Sequence, residues 1–410
     1  MSAQGAERRP AVDRAQPGRV LLGLDRLAAE RCARLRGLRV GLLCHAASVA
    51  SDFRHITRIF KDSGILPVRC FGPEHGIWAD VQDMIPSEHT REPVTGAPVV
   101  SLYGAEEASL SPRPEDLAGL DLLVIDLQDV GARYYTYCWT AALAAQAAAR
   151  VGVQSLILDR PNPLGGLRIE GGPVAPGFVS FVGRFDVPTR HGLTIGELVR
   201  LVARREGFAD AVEVLPMSGW HRAMYHDETG VPWVQPSPNM PTLDTALVYP
   251  GMCLIEGTHL SEGRGTTRPF EIIGADFIDP FAWAEALAAT PLQGVKFRPV
   301  FFQPTFHKFG KRTIGGVALH VTDRATFEPL RTGLHLLATC RTLFGEALRW
   351  RSEVYEFVGD RLAIDLLFGG PEARATIDAH GDVDALWHAW QAHAASFEVE
   401  ATLARCAEYP

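Results

Sequence analysis

Glu74 and His75 stand between two glycines in GPEHG (72–76), directly after the β-type run PVRC at 67–70. A carboxyl at a strand end can hand a proton to a ligand if the ligand comes close. Gly72 and Gly76 permit that approach and Pro73 stiffens it. The bland alternative is a turn carboxylate that caps the next segment. His75, beside a loop glycine, either contacts substrate or hydrogen-bonds backbone and solvent.

A denser group follows in DLQDVGARYYTY (126–137), which offers Asp126, Gln128, Asp129, Arg133, Tyr134, Tyr135 and Tyr137. Aromatic faces stack on sugar rings, while carboxylates and amides pair with hydroxyls, so the mixture suits a carbohydrate. Taken singly, Asp129 fits a helix cap and each tyrosine fits a half-buried packing residue. DRPNPLGG (159–166) and RIEGGPV (168–174) add Asp159, Arg160, Asn162 and Glu170 on loops shaped by prolines and glycines. Glu170 reads equally as a second active carboxyl or an ordinary loop acid, and Asp159 with Arg160 as a plain ion pair. Farther on, VQPSPNMPTLDTALVYPG (234–251) presents Ser237 and Asn239, and EGTHLSEGRGTTRPFEIIGA (256–275) carries Glu256, Glu262, Arg264 and Arg268. The G-x-G of SEGRGT has no following Lys-Ser/Thr, so a phosphate loop is weakly indicated. Arginines match a carboxylate in bidentate fashion just as well.

These segments need a frame to bring them together. RVGLLCHAA (39–47), VRCFGP (68–73), VVSLYG (99–104), LLVIDLQD (122–129) and SLILDRPNP (155–163) read as strands, with little polar alternation, as in a parallel sheet covered on both faces. Helices are expected over 52–63, 136–150 and 194–206. The alternation predicts an α/β fold with a Rossmann-like, doubly wound, mostly parallel sheet. In such sheets ligands bind beyond the carboxyl ends of the strands, where the loaded segments lie. KFRPVFFQPTF (296–306), IGGVALHVTD (314–323) and a helix near 325–344 predict a second, smaller α+β C-terminal domain. The expected division is a disordered tail over 1–17, a Rossmann-like domain over 18–280 and the smaller domain over 281–410.

Acidic residues outnumber basic ones, 48 to 40, so no nucleic-acid or anionic-membrane partner is expected. Seven scattered cysteines without a C-x-x-C pair argue against a disulfide framework or structural zinc. H-E-x-x-H, H-x-x-x-H and G-x-S-x-G are absent, and LLCHAASVASD after the first strand lacks the dinucleotide-binding glycines. Neither a metal nor another cofactor is expected. An Arg-rich N-terminus without an apolar core predicts no signal peptide and a cytoplasmic location.

GPEHG, LQDVGARYYTY, LDRPNPLGG with EGGPV, RHGLTIGE (190–197), WVQPSPNMP, SEGRGTTRPFE and QPTFHKFGK together resemble the exo-β-N-acetylmuramidase family of glycoside hydrolases, over about residues 20–370. The resemblance implies release of terminal N-acetylmuramic acid from the non-reducing end of peptidoglycan fragments, in a cleft between a Rossmann-like and a smaller domain. It places the catalytic acid on Glu74. The substrate is then a muropeptide-type amino sugar, small or oligomeric, whose lactyl carboxylate gives Arg264 or Arg268 a partner. Some relatives carry a Glu where this chain has Gln146. Either another carboxyl, such as Glu170, or the substrate's own acetamide then assists at the anomeric carbon. The competing readings are a sugar-binding or sensing protein that has lost turnover, and a nucleotide-dependent enzyme using SEGRGT.

Overall fold

Val40–Cys44 (β1), Arg69–Gly72 (β2), Val99–Ser101 (β3), Leu122–Asp126 (β4), Gln154–Leu158 (β5) and Val212–Leu215 (β6) form one parallel sheet in the order β3-β2-β1-β4-β5-β6. The computed structural model describes residues 19–82 and 90–410, and the tail expected over 1–17 lies outside the described residues. This strand order reverses direction between β1 and β4, the switch point of a doubly wound sheet. β1 is buried along its whole length, as its unbroken VGLLC requires. β6 was not expected from the sequence, because VEVL is a half-exposed edge strand with too little apolar content to stand out.

The covering helices follow their local sequence. Tyr137–Arg150 is so rich in alanine that it lies almost wholly buried between the sheet and its neighbours. Ile195–Arg205 starts at a capping box, in which Thr194 Oγ1 accepts from the Glu197 N–H at 3.2 Å and Glu197 Oε2 accepts from the Thr194 N–H at 3.0 Å. The RHGLTIGE motif is thus largely a helix start. Its Arg190 pairs with Glu170 at 2.8 Å, and its Gly196 N–H donates to Asp159 Oδ1 at 2.9 Å.

Ile272–Ala275 (β7), Val295–Phe302 (β8) and Ile314–Val321 (β9) make a smaller antiparallel sheet in the order β7-β9-β8, backed by the helix Pro280–Ala288, on which the helix Pro329–Phe344 packs in turn. Its edge strand β7 precedes residue 281, where the sequence suggested that the smaller domain begins. The chain then returns to the first unit: the Tyr409 phenol donates to Asp159 Oδ2 at 2.7 Å, and the Arg222 N–H to the Pro410 carbonyl at 3.1 Å.

Arg133 ties the two units together. Its guanidinium, fully buried, donates to the carbonyls of Gly172 and Val187 on one side and of Leu367 and Phe368 on the other, at 2.8–3.1 Å. The sequence placed Arg133 among the substrate contacts. Every one of these four acceptors is backbone, which makes it a brace between the units instead.

Candidate active site

The turn after β2 presents the first carboxyl. The Gly76 N–H closes it onto the Pro73 carbonyl at 3.0 Å, and His75 and Gly76 both take left-handed φ values, 68° and 78°. A left-handed residue followed by a left-handed glycine turns the chain sharply and sets the two side chains of Glu74 and His75 at the end of β2. The turn is held from behind: Thr136 Oγ1 donates to Glu74 Oε2 at 2.8 Å, and the Tyr137 hydroxyl reaches the carbonyls of Glu74 and Pro236, both at 3.1 Å. His75 Nδ1 lies 2.8 Å from the Val81 carbonyl, so that nitrogen carries the proton it donates.

Under this turn lies a residue the sequence reading passed over. His45, at the end of β1, accepts the Gln128 N–H on Nε2 at 2.9 Å and faces the Pro236 carbonyl with Nδ1 at 3.2 Å. Burial, helped by the charge of Arg160, pushes its pKa down to about 3, so the ring is neutral and serves as a fixed donor and acceptor linking three loops.

Glu74 and His75 open into a cleft with about 550 Å3 of space between its walls, mouth included. Its floor is a run of rings: Tyr137 to Tyr135 at 4.8 Å between centroids, Tyr135 to Tyr249 at 5.9 Å, and Tyr249 to Phe270 at 4.9 Å. At the far end the Arg264 guanidinium lies 5.2 Å over the Phe270 ring and donates to Glu256 Oε1 at 2.6 Å. The Tyr355 phenol donates to Glu256 Oε2 at 2.8 Å, and burial raises its pKa well above the usual value, so it remains a donor. Glu356 completes this wall and accepts from Tyr103 at 3.2 Å.

Of the residues singled out from the sequence, Glu74, His75, Tyr134, Tyr135, Tyr137, Asn239 and Arg264 line the cleft, with Ser237 and Glu256 from the same motifs. Asn239 is positioned by Gln82, to which its Nδ2 donates at 2.9 Å. The others lie elsewhere, for identifiable reasons. Asp126 is fully buried and takes both arms of Arg160, at 2.5 and 2.8 Å, so Arg160 pairs across strands and not with its neighbour Asp159. The Gln128 amide donates to the carbonyls of Asp129 and Pro161, and Asp129 accepts from the Gly131 N–H at 2.7 Å and faces His191. Asn162 holds the Leu193 carbonyl and the Leu164 N–H.

Glu170 does not reach the cleft either. It is buried against Arg190, and burial raises its pKa despite that guanidinium. Glu262 is enclosed by Lys308, His307 and Arg264; burial alone would raise its pKa, but these groups outweigh it and hold the carboxylate well below the usual range. Arg268 is exposed and paired with Glu271 at 2.7 Å. The SEGRGT turn is no open phosphate cradle: a Cβ on Gly265 would stand 2.7 Å from the Phe306 carbonyl, because the loop 303–311 packs against it. Gln146 faces away, with Nε2 3.3 Å from Glu206 Oε2.

The family described as Exo-beta-N-acetylmuramidase NamZ, N-terminal, matches residues 40–244, and its C-terminal counterpart matches residues 247–403. The chain belongs to the NamZ exo-β-N-acetylmuramidase family. A relative from Bacillus subtilis (strain 168), the peptidoglycan β-N-acetylmuramidase NamZ, is 42% identical over 339 residues, which is 82% of this chain and 81% of that protein. A DUF1343 family protein from Bacteroides fragilis NCTC 9343, known from its crystal structure, is similar with a TM-score of 0.85 and 29% identity, over 96% of this chain and 100% of that one. A second from the same strain shares the fold, with a TM-score of 0.73 and 24% identity over 95% and 99% of the two chains.

Tyr249, Phe270, Tyr355 and Glu356 also line the cleft without having been picked out from the sequence. Phe270 sat inside the quoted SEGRGTTRPFE and Tyr249 inside the proline-braced loop, so those two were in view as motifs. Tyr355 and Glu356 lie in SEVYEFVGD, a stretch with nothing in composition or spacing to mark it, and only the tertiary fold brings it to Glu74.

Proposed function

We propose that the protein is an exo-acting glycosidase that releases terminal N-acetylmuramic acid from the non-reducing end of peptidoglycan fragments, with Glu74 as the acid. The observation that carries this reading is that one cleft places the Glu74 carboxyl at one end of an aromatic floor and the Arg264 guanidinium at the other. Set edge to face, these rings offer a pyranose apolar contact from faces and edges alike. Glu74 donates its proton to the departing glycosidic oxygen, which otherwise leaves as an unstable alkoxide. Muramic acid differs from glucosamine by a lactyl ether ending in a carboxylate, and Arg264 offers that anion a guanidinium partner.

The test is hydrolysis of matched chromogenic β-N-acetylmuramide and β-N-acetylglucosaminide. Release from the muramide, at a clearly higher kcat/KM than from the glucosaminide, is the expected result. A folded protein that leaves the muramide intact, or that prefers the glucosaminide, contradicts the proposal.

A further inference from the structure

We infer that Glu256 is the second carboxyl of this reaction, the one that faces the positive charge developing at the anomeric carbon while Glu74 serves the leaving oxygen. The inference rests on the glycosidase reading above and adds to it the residue that completes the site.

The other acids of the motifs are committed elsewhere. Glu170 is held by Arg190, Asp129 by the Gly131 N–H and His191, and Glu262 by Lys308, His307 and the back of Arg264, and none of the three lines the cleft. Among the described residues three carboxyl side chains line the cleft: Glu74, Glu256 and Glu356. Glu356 comes from a backbone position at φ 46°, next to Phe357 at 69°, and its carboxylate is the acceptor of the Tyr103 phenol.

Glu256 has the better build for the role. Arg264 donates to one oxygen and Tyr355 to the other, and both of these partners line the cleft themselves, so the carboxylate is fixed from two sides at its wall. An ion pair plus a phenol donor suits a group that must carry negative charge throughout the reaction, the opposite of what the proton donor needs. The placement fits as well. Glu256 enters from the turn Cys253–Gly257 that ends the helix bearing Tyr249, whereas Glu74 enters from the turn braced by Tyr137. Tyr135 and Tyr249 stand between them edge to face, with centroids 5.9 Å apart and planes at 89°. A sugar bound between the two turns has one carboxyl toward each, the arrangement a glycosidic bond needs on its two sides. Arg264 then has two tasks, holding Glu256 and meeting the lactyl carboxylate, which couples recognition of the muramic acid to the charge at the reacting carbon.

The experiment compares Glu256→Gln and Glu256→Ala with wild type on two muramides, one with an activated aryl leaving group and one with an ordinary sugar as leaving group. Cleavage by the wild type is established first; its failure would strike the glycosidase reading and not this assignment. For both variants kcat is expected to fall at least about 100-fold on both substrates, at a melting temperature close to that of wild type. Sodium formate or azide, entering the space left in Glu256→Ala, is expected to restore at least tenfold of the loss. A merely structural residue gives no such rescue. A kcat loss under tenfold, a change confined to KM, or a loss that neither anion relieves overturns the assignment.

Discussion

Arg264 stacks its guanidinium 5.2 Å over the ring of Phe270, at the end of the cleft opposite the Glu74 turn. The same guanidinium donates to Glu256 Oε1 at 2.6 Å and lies 3.4 Å from Glu262 Oε1, so an incoming carboxylate shares it with these acids. Arg264→Met removes that cation but keeps apolar contact with the ring. The expected outcome is a rise in KM for the muramide of about tenfold or more, the scale of one charge-assisted hydrogen bond, with a much smaller change in KM for the glucosaminide, beside a fall in kcat on both substrates because Glu256 loses one of its two donors. An equal change in KM on both substrates would mean that Arg264 does not meet the lactyl carboxylate.

Arg133 makes the opposite kind of prediction, on stability and not on specificity. Its four carbonyl acceptors come from both units, and replacement by Met leaves them buried without a donor. Arg133→Met is therefore expected to cost at least about 3 kcal/mol, read from urea unfolding. A loss below about 1 kcal/mol would show that water or neighbouring groups take over the brace.

His45 predicts a pH dependence. Its pKa falls from 6.5 to about 3 on folding, chiefly through burial, so between those values the unfolded chain binds the extra proton and the folded one does not. Stability from this group is complete above pH 6.5 and is lost toward pH 3, at up to about 1.4 kcal/mol per pH unit. Asp159 works in the other direction, since burial and the nearby Glu197 raise it from 3.8 to about 6. The raw stability curve mixes both groups, and subtraction of a His45→Gln curve isolates the imidazole. The wild type should show the steeper acid-side loss; parallel curves would mean that His45 is protonated within the fold.

Gln146 is expected to matter little. It lies nine residues into the helix that starts at Tyr137, roughly 14 Å along the axis at 1.5 Å per residue, and its amide faces Glu206. Gln146→Glu should change kcat/KM by less than tenfold. A large gain would mean that a carboxyl at this position reaches the sugar and that the natural chain is an impaired member of its family.

The strands and the cleft differ in how far they were legible in the sequence. β1, β2, β4 and β5 are buried on both faces, so their apolar runs stand out, and the sheet order that aligns their carboxyl ends follows from the alternation with helices. Glu74 was equally legible, because glycines and a proline around an acid after a strand are hard to explain by packing. The dense polar cluster after β4 misled for a physical reason. A loop leaving a buried strand end must satisfy its own backbone, and Gln128, Asp129 and Asn162 spend their side chains on that task, while Asp126 is taken up by the Arg160 guanidinium. Conversely, Glu256 and Tyr355 stand 99 positions apart in the chain, and no local pattern announces that they share a hydrogen bond.

The central claim is that Glu74 supplies the proton, and the most direct measurement is turnover of the muramide by Glu74→Gln. The amide keeps the shape and can still accept from Thr136, which holds Glu74 at 2.8 Å, but it has no acidic proton to give. The account predicts a fall in kcat of ~10²–10⁴-fold at an unchanged melting temperature, smaller when the leaving group is an activated phenol that departs without protonation. Activity within a few-fold of wild type on an ordinary sugar leaving group, in a protein that melts at the same temperature, would contradict it.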